Sequence, residues 1–283
     1  MLKSFLVRFS MLALCSGGMW LAYTQGQQPS KLNVVKLANG LYVIHNDYVP
    51  GNTTALITNE GVLLVDDKFP QDADNIIAEV KKLSNQPIKY VVSTHHHGDH
   101  TGGNPKMQQI GAQIVSSEAA RQNMVDGNQP GQPNVTFEHE AHIYLGGKHI
   151  DVYHFGRAHT NGDSVVLFPA ERVLAAGDMF TYGDDVPELI DYAGGGSGKE
   201  WTSTLDSALK LDFDTVVPGH GNVTNKQEMR KYRDSTLRLR NRVHEMIVAK
   251  KTKADVEKML RTEFHFADLH VQRSLDGLMV EMQ

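Results

Sequence analysis

Short apolar runs, separated by polar residues and glycines, divide the first part of the chain into strands. Four apolar runs form two successive pairs, at residues 34–37, 41–44, 54–57 and 61–65. Asn39-Gly40 separates the first pair and is typical of a two-residue hairpin turn. Residues 62–65 are apolar without interruption, which indicates a strand buried on both faces of its sheet.

A change of apolar spacing marks the first helix. Ile76, Ile77, Val80 and Leu83 recur at helical spacing, so a helix is expected from about residue 73. Short elements of both kinds are then predicted: a strand at 88–93, a helix at 104–110, a strand at 112–115 and a helix at 117–124.

Strands predominate again in the second half of the chain. They are predicted at residues 135–137, 142–145, 149–155, 164–168, 172–176 and 215–217, with a helix at 202–209. Thr224 and Gln227 have the spacing of a capping box, which predicts a helix to about residue 249, and Thr252 with Asp255 predicts another. Two similar halves of this kind indicate an α+β domain in which two sheets pack together with helices outside.

Composition and charge narrow the class of partner. The chain has 283 residues, of which 40% are hydrophobic and 22% charged, as in ordinary globular proteins. The formal net charge of −5 offers no basic footprint for nucleic acid. We therefore expect a small-molecule substrate and no nucleic-acid partner, while oligomeric state leaves no signal in the sequence.

Residues 1–26 have the pattern of a secretory signal peptide. Lys3 and Arg8 precede a short apolar core, and small residues from Ser16 onward offer a cleavage site. An uncleaved anchor is the alternative, and Leu14 before Cys15 disfavours lipoprotein processing. We expect a periplasmic or secreted protein without stable membrane association after cleavage. Because Cys15 is the only cysteine, the mature chain has no thiolate ligand.

A dense histidine cluster follows the strand predicted at 88–93. His95, His96, His97, Asp99 and His100 lie within six consecutive residues, followed by two glycines. Such a cluster is hard to explain by packing, whereas neutral imidazole and carboxylate are ligands that zinc prefers. Alternate residues of a loop can point to one side, so one loop could serve two metals.

Three further ligand candidates lie next to predicted strands and beside glycine. They are His159, Asp178 and His220. Asp66 also ends an apolar strand. The glycines permit the tight turns that would bring such side chains close together.

With these motifs in order, the chain resembles the metallo-β-lactamase superfamily. The resemblance spans residues 66 to 221 and places the domain at about 31–283. It rests on Asp66, His95-x-His97-x-Asp99-His100, His159, Gly177-Asp178 and Gly219-His220-Gly221. It implies a four-layer αβ/βα sandwich of two mixed sheets with helices on the outside and the site at one edge of the sheets.

The resemblance also implies a ligand set. It assigns His95, His97 and His159 to a first metal, Asp99, His100 and His220 to a second, and Asp178 to a bridge between them. Two zinc ions are expected, with iron or manganese as alternatives. Asp66 would orient a metal-bound imidazole or merely cap its strand.

The expected chemistry is hydrolysis by a hydroxide shared between the two metals. Asp99 would shuttle a proton, and Tyr182 would donate a hydrogen bond to a substrate oxyanion. His96 is expected to lie outside the ligand set. Four further histidines are interpreted as packing or surface residues: His139, His142, His149 and His154.

Two loops are placed near the site, at residues 127–133 and 184–199. The first would cover substrate or be an ordinary surface loop.

Several functions remain open at this point. The favoured hypothesis is an exported binuclear zinc hydrolase that cleaves an ester, lactone, thioester or amide bond. The first alternative is a metallo-β-lactamase like the cysteine-free subclass, although Asp178 stands where that subclass normally lacks a bridging carboxylate. The non-enzymatic alternative is a metal-binding interaction protein on the same fold.

Overall fold

The computed structural model describes residues 28–47, 49–183 and 189–283. The expected signal peptide, including Cys15, lies outside these ranges. Among the described residues, no helix is both long and apolar enough to cross a membrane.

Seven strands form the first sheet in sequence order. The bounds are β1 Asn33–Ala38, β2 Leu41–His45, β3 Thr53–Ile57, β4 Val62–Val65, β5 Ile88–Val92, β6 Gln113–Ser117 and β7 Val135–Phe137. Strands β1 to β4 pair antiparallel, and β4 to β7 pair parallel. The carboxyl ends of β4, β5 and β6 therefore lie at the same edge of the sheet.

Six strands form the second sheet, which is also mixed. They are β8 Glu140–Leu145, β9 Lys148–Tyr153, β10 Val165–Phe168, β11 Val173–Ala175, β12 Thr215–Val217 and β13 Thr224–Asn225. Strands β8 to β11 form an antiparallel run, and β11 pairs parallel with β12. This places the carboxyl ends of β11 and β12 side by side.

Helices follow strands on both sides of the sandwich. They are α1 Ala73–Leu83, α2 Gly98–Thr101, α3 Asn104–Gln109, α4 Glu118–Asp126, α5 Trp201–Ala208, α6 Lys226–Val248, α7 Lys253–Glu263 and α8 Asp268–Glu281. Short 3-10 turns cover Pro70–Asp72 and Gly177–Met179.

Three apolar cores produce the four layers. The middle core lies between the sheets and takes Leu63 and Val65 from β4 and Val152 from β9. A second core joins the other face of β4, including Leu64, to α1. The third joins the outer face of the second sheet to α5 through α8. Burial of apolar surface on both faces of each sheet is what fixes the αβ/βα order, and the expected α+β sandwich is confirmed.

Two details at helix starts differ from expectation. Thr224 is not the N-cap of α6, because it pairs in β13 with Val216; the cap is Asn225, whose side-chain oxygen accepts from the Gln227 and Glu228 amides at 2.9 and 3.2 Å. The capping-box prediction there is wrong. The capping box of α7, formed by Thr252 and Asp255, is present.

Candidate metal centre

Strand ends bring the ligand candidates to one edge of the sandwich. His95 and His97 follow β5, and Asp99 and His100 lie on the single turn α2. The other three come from the second sheet: His159 between β9 and β10, Asp178 after β11 and His220 after β12. Because each strand is anchored by buried apolar residues, the ligands are held by rigid elements.

The first group of side chains meets around His159. Its Nε2 lies 2.8 Å from His97 Nδ1 and 3.5 Å from Asp178 Oδ2. His95 Nε2 lies 3.8 Å from the same carboxylate oxygen. One atom from each of these four side chains lies within 4.8 Å of every other, which is compatible with binding to a single ion.

The second group comprises Asp99, His100 and His220, whose ligand atoms also lie within 4.8 Å of one another. His220 Nε2 is 3.3 Å from Asp99 Oδ2 and 3.3 Å from His100 Nε2. Two imidazole nitrogens at this distance can share one proton or bind one cation.

Asp178 faces both groups at once. Its Oδ1 lies 3.2 Å from His100 Nε2, and its Oδ2 lies 3.3 Å from His220 Nε2 and 3.5 Å from His159 Nε2. One carboxylate thus stands between three imidazoles that belong to the two groups.

The electrostatics of the centre favour cations. Burial raises the pKa of Asp178, but His220 and His100 outweigh it and hold that pKa well below its usual value. Burial lowers the pKa of His100, but Asp178 and Asp99 outweigh it and hold that pKa well above its usual value. Among the described residues, buried His95 Nε2 has no hydrogen-bond partner. A bound metal ion would satisfy this atom, so the donor set fits a metal centre.

In three of the imidazoles, one ring nitrogen makes a hydrogen bond on the side away from the centre, which leaves the other nitrogen to bind a metal. His97 Nε2 bonds Asp191 at 2.8 Å, His159 Nδ1 bonds the Leu189 carbonyl at 2.8 Å, and His100 Nδ1 bonds Asp66 at 2.8 Å. Each bond fixes the ring orientation and favours the tautomer whose free nitrogen faces the centre.

Comparisons with known proteins identify the family of the chain. A model of the metallo-β-lactamase superfamily matches residues 46–220, which is more than half of the chain. The chain belongs to the metallo-β-lactamase superfamily. As a member, it is a metal-dependent hydrolase.

Named relatives and solved structures of the superfamily cover most of the domain. The metallo-beta-lactamase type 2 of Elizabethkingia meningoseptica is 26% identical over 204 residues, 69% of this chain and 81% of that protein. The protein of the same name from Bacillus cereus is 26% identical over 184 residues, 63% of this chain and 70% of that protein. A solved metallo-beta-lactamase from Pontibacter korlensis superposes with a TM-score of 0.66 at 23% identity, covering 73% of this chain and 99% of that one.

Asp66 links the first sheet to the histidine loop, residues 95–100. Its Oδ1 accepts from the Thr94 amide at 2.7 Å, and its Oδ2 accepts from the Thr94 hydroxyl and from His100 Nδ1, both at 2.8 Å. Asp66 has a φ of 60°, in the left-handed region that is unfavourable for most residues. Three hydrogen bonds offset that strain and hold the carboxylate behind His100.

Asp191 is a site residue that sequence reasoning did not single out. It lies in the loop expected near the site, and its Oδ2 is 2.8 Å from His97 Nε2. Burial lowers the pKa of His97, but the hydrogen bond and charge of Asp191 outweigh it, so that pKa is raised. The only signal in the sequence was the glycine-rich segment around Asp191.

Two loops close around the histidine loop. Gln129, in the Gly/Pro-rich loop, donates to the His96 carbonyl at 2.7 Å and to the Thr101 hydroxyl at 2.9 Å. On the other side, a Cβ added at Gly51 would lie only 2.3 Å from His100. Lys68 Nζ donates to the Gly51 carbonyl at 2.6 Å and holds this close approach.

His96 and Tyr182 are placed at the margins of the centre. His96 Nε2 lies 3.7 Å from Asp191, and its Nδ1 lies 3.3 Å from Asn123. Tyr182 donates its backbone amide to the His220 carbonyl at 2.9 Å, while its ring lies 6.3 Å from that of Phe180. Within the described ranges, no hydrogen bond joins the Tyr182 hydroxyl to a ligand residue, so its catalytic role stays a prediction.

Proposed function

We propose that the protein is an exported binuclear zinc hydrolase that cleaves an ester, lactone, thioester or amide bond of a small molecule. The observation that carries this proposal is the position of Asp178, whose two oxygens face the two groups of imidazoles. In the proposed assignment, His95, His97 and His159 hold one ion, Asp99, His100 and His220 hold the other, and Asp178 contacts both. Iron or manganese remain alternatives.

When bound, the two ions would lower the pKa of water and polarise the scissile carbonyl. Asp99 is the member of the second group whose side chain remains partly open to solvent, at 21% exposure. Burial raises its pKa, but His100 and His220 outweigh this and hold that pKa well below its usual value. Asp99 therefore remains ionised and able to orient water in the site, and its role as a proton shuttle stays a prediction.

A metallo-β-lactamase is the second candidate, because the curated relatives described above carry that name. Their similarity extends over 81% and 70% of their own lengths, so the chain spans most of a β-lactamase domain. The absence of cysteine outside the leader favours the cysteine-free subclass or a different substrate. We propose the broader hydrolase function, with β-lactam cleavage as its competitor.

A substrate panel separates the two candidates. Purified protein should bind two zinc ions in its catalytic centre and hydrolyse at least one member of a panel of β-lactams, lactones, thioesters and phosphodiesters. His97→Ala should abolish that turnover, whereas His139→Ala, at a ring 79% exposed, should not. Cleavage confined to β-lactams would select the second candidate. Undiminished turnover by His97→Ala or by chelated protein would refute both.

Export forms part of the same proposal. The protein would act in the periplasm or outside the cell after loss of residues 1–26. N-terminal mass determination of protein recovered from the periplasmic fraction tests this. An intact N-terminus on cytoplasmic protein would contradict export without affecting the hydrolase proposal.

A further inference from the structure

A second cluster of metal-type ligands lies on the β8–β9 hairpin. In the register of this pair, His142 stands opposite Asp151, and Tyr144 stands opposite His149. Ile143 and Ile150 point into the core between the sheets. Side chains alternate along a strand, so His142, His149 and Asp151 share the outer face.

One carboxylate oxygen is the centre of this cluster. Asp151 Oδ1 lies 2.6 Å from His142 Nδ1 and 2.8 Å from His149 Nε2. The three atoms all lie within 4.8 Å of one another. In a tetrahedral site with bonds of about 2.0–2.2 Å, ligand atoms are roughly 3.3 Å apart, so small rotations of the rings would admit an ion.

Burial and stacking prepare the ligands for such an ion. The Asp151 side chain is only 8% exposed, whereas those of His142 and His149 are 42% and 43% exposed. The His149 ring stacks on Tyr144 with centroids 4.7 Å apart and planes 3° from parallel. The carboxylate is thus anchored, one ring is held in place, and solvent can reach the open side.

The surrounding charge favours a cation. Glu140 lies on the same face, with Oε1 4.0 Å from His142 Nε2. Partial burial raises the pKa of Tyr153, and the charges of Asp151 and Glu140 raise it further. The outer face of the hairpin therefore carries two carboxylates beside the two imidazoles.

We propose that His142 Nδ1, His149 Nε2 and Asp151 Oδ1 form a further site for a divalent first-row transition metal ion. Two imidazoles and a carboxylate suit zinc and its neighbours, and water would fill the open positions. The site shares no residue with the catalytic centre. His142 and His149, interpreted from the sequence as packing or surface residues, thereby gain a role.

Zinc stoichiometry of the full chain tests the site. Wild type, the double variant His142→Gln/His149→Gln and the control His139→Gln are equilibrated at one buffered free zinc concentration, and bound zinc is measured by mass spectrometry. The double variant should bind one equivalent fewer than wild type and the control, with unchanged hydrolytic activity. Equal zinc content in all three proteins would overturn the proposal.

A second measurement covers the case in which the double variant does not fold. Wild-type crystals grown with zinc should show an anomalous difference peak, at the zinc edge, between His142, His149 and Asp151. No peak there at full occupancy of the catalytic centre would equally overturn the site. A His97→Ala variant should keep this peak, so failure of the hydrolase proposal and failure of this one can be told apart.

Discussion

Asp66→Asn is the sharpest test of how the centre is held. Asp66 is 2% exposed and accepts three hydrogen bonds, two from Thr94 and one from His100 Nδ1. An asparagine retains one oxygen and replaces the other by an amino group. If the oxygen keeps the Thr94 backbone amide, the amino group meets the N–H of His100. Two donors then face each other, and the His100 ring avoids this by carrying its proton on Nε2 instead of Nδ1. Because Nε2 faces the second group of ligands, the ring can then no longer bind a metal there.

The magnitude follows from these contacts. Loss of an outer hydrogen bond to a metal-bound histidine costs about 10–100-fold in metal affinity, and one buried hydrogen bond to a charged group is worth about 1.5–3 kcal/mol of stability. We therefore expect zinc affinity to fall about 10–100-fold at the Asp99–His100–His220 group only. The free energy of unfolding should fall by about 1.5–3 kcal/mol.

Competitive zinc titration against a chelator, with urea unfolding in parallel, measures both effects. The matched control is Asp67→Asn. The Asp67 side chain is equally buried and accepts from the Gly103 amide at 2.9 Å, without bonding a ligand side chain. Its backbone amide donates to the His100 carbonyl at 2.8 Å, a bond that the substitution keeps. Burial, followed by the charge of Asp66, raises the pKa of Asp67 well above its usual value, so a neutral asparagine suits this position. Asp66→Asn protein with the zinc affinities of the control, or with equal losses at both groups, would refute the reasoning.

Three other expectations concern single side chains. Asp191→Asn should weaken metal binding by His97 about 10–100-fold and lower kcat, as read by zinc titration and steady-state kinetics; unchanged zinc affinity would contradict it. Burial lowers the pKa of Lys68 to about 7, so between that value and its unfolded pKa near 10 the unfolded chain binds more protons. The free energy of unfolding should rise with pH across this window by at most about 1.4 kcal/mol per unit, and Lys68→Met should lose the slope in urea titrations at successive pH values. Asn225→Ala should cost about 1 kcal/mol in urea unfolding, and Thr224→Ala, which removes no cap, should cost less; the reverse order would contradict the assigned N-cap.

Helix starts show where local signals mislead. Thr224 and Gln227 had the spacing of a capping box, but pairing of β13 with β12 keeps Thr224 extended, and Asn225 caps instead. Helix α8 was not predicted, although Val271, Leu275 and Leu278 have helical spacing. Its N-cap is Ala267, whose side chain makes no capping bond, so the usual start signal is absent.

The sequence by itself determined strands β1 to β12 and the ligand candidates next to them. Apolar periodicity is local, and a dense group such as His95, His97, Asp99 and His100 has few explanations besides a metal. Those residues lie next to one another in the chain, so their proximity needs no fold.

Only the tertiary structure decided which side chains from distant parts of the sequence lie close together. Asp178 faces both imidazole groups because β11 and β12 run parallel and end beside the histidine loop of the other sheet. Asp191 reaches His97 across 94 residues of sequence. His142 meets Asp151 through the strand register of a hairpin. Long-range pairing and register depend on burial summed over the whole domain, which local patterns of residues do not contain.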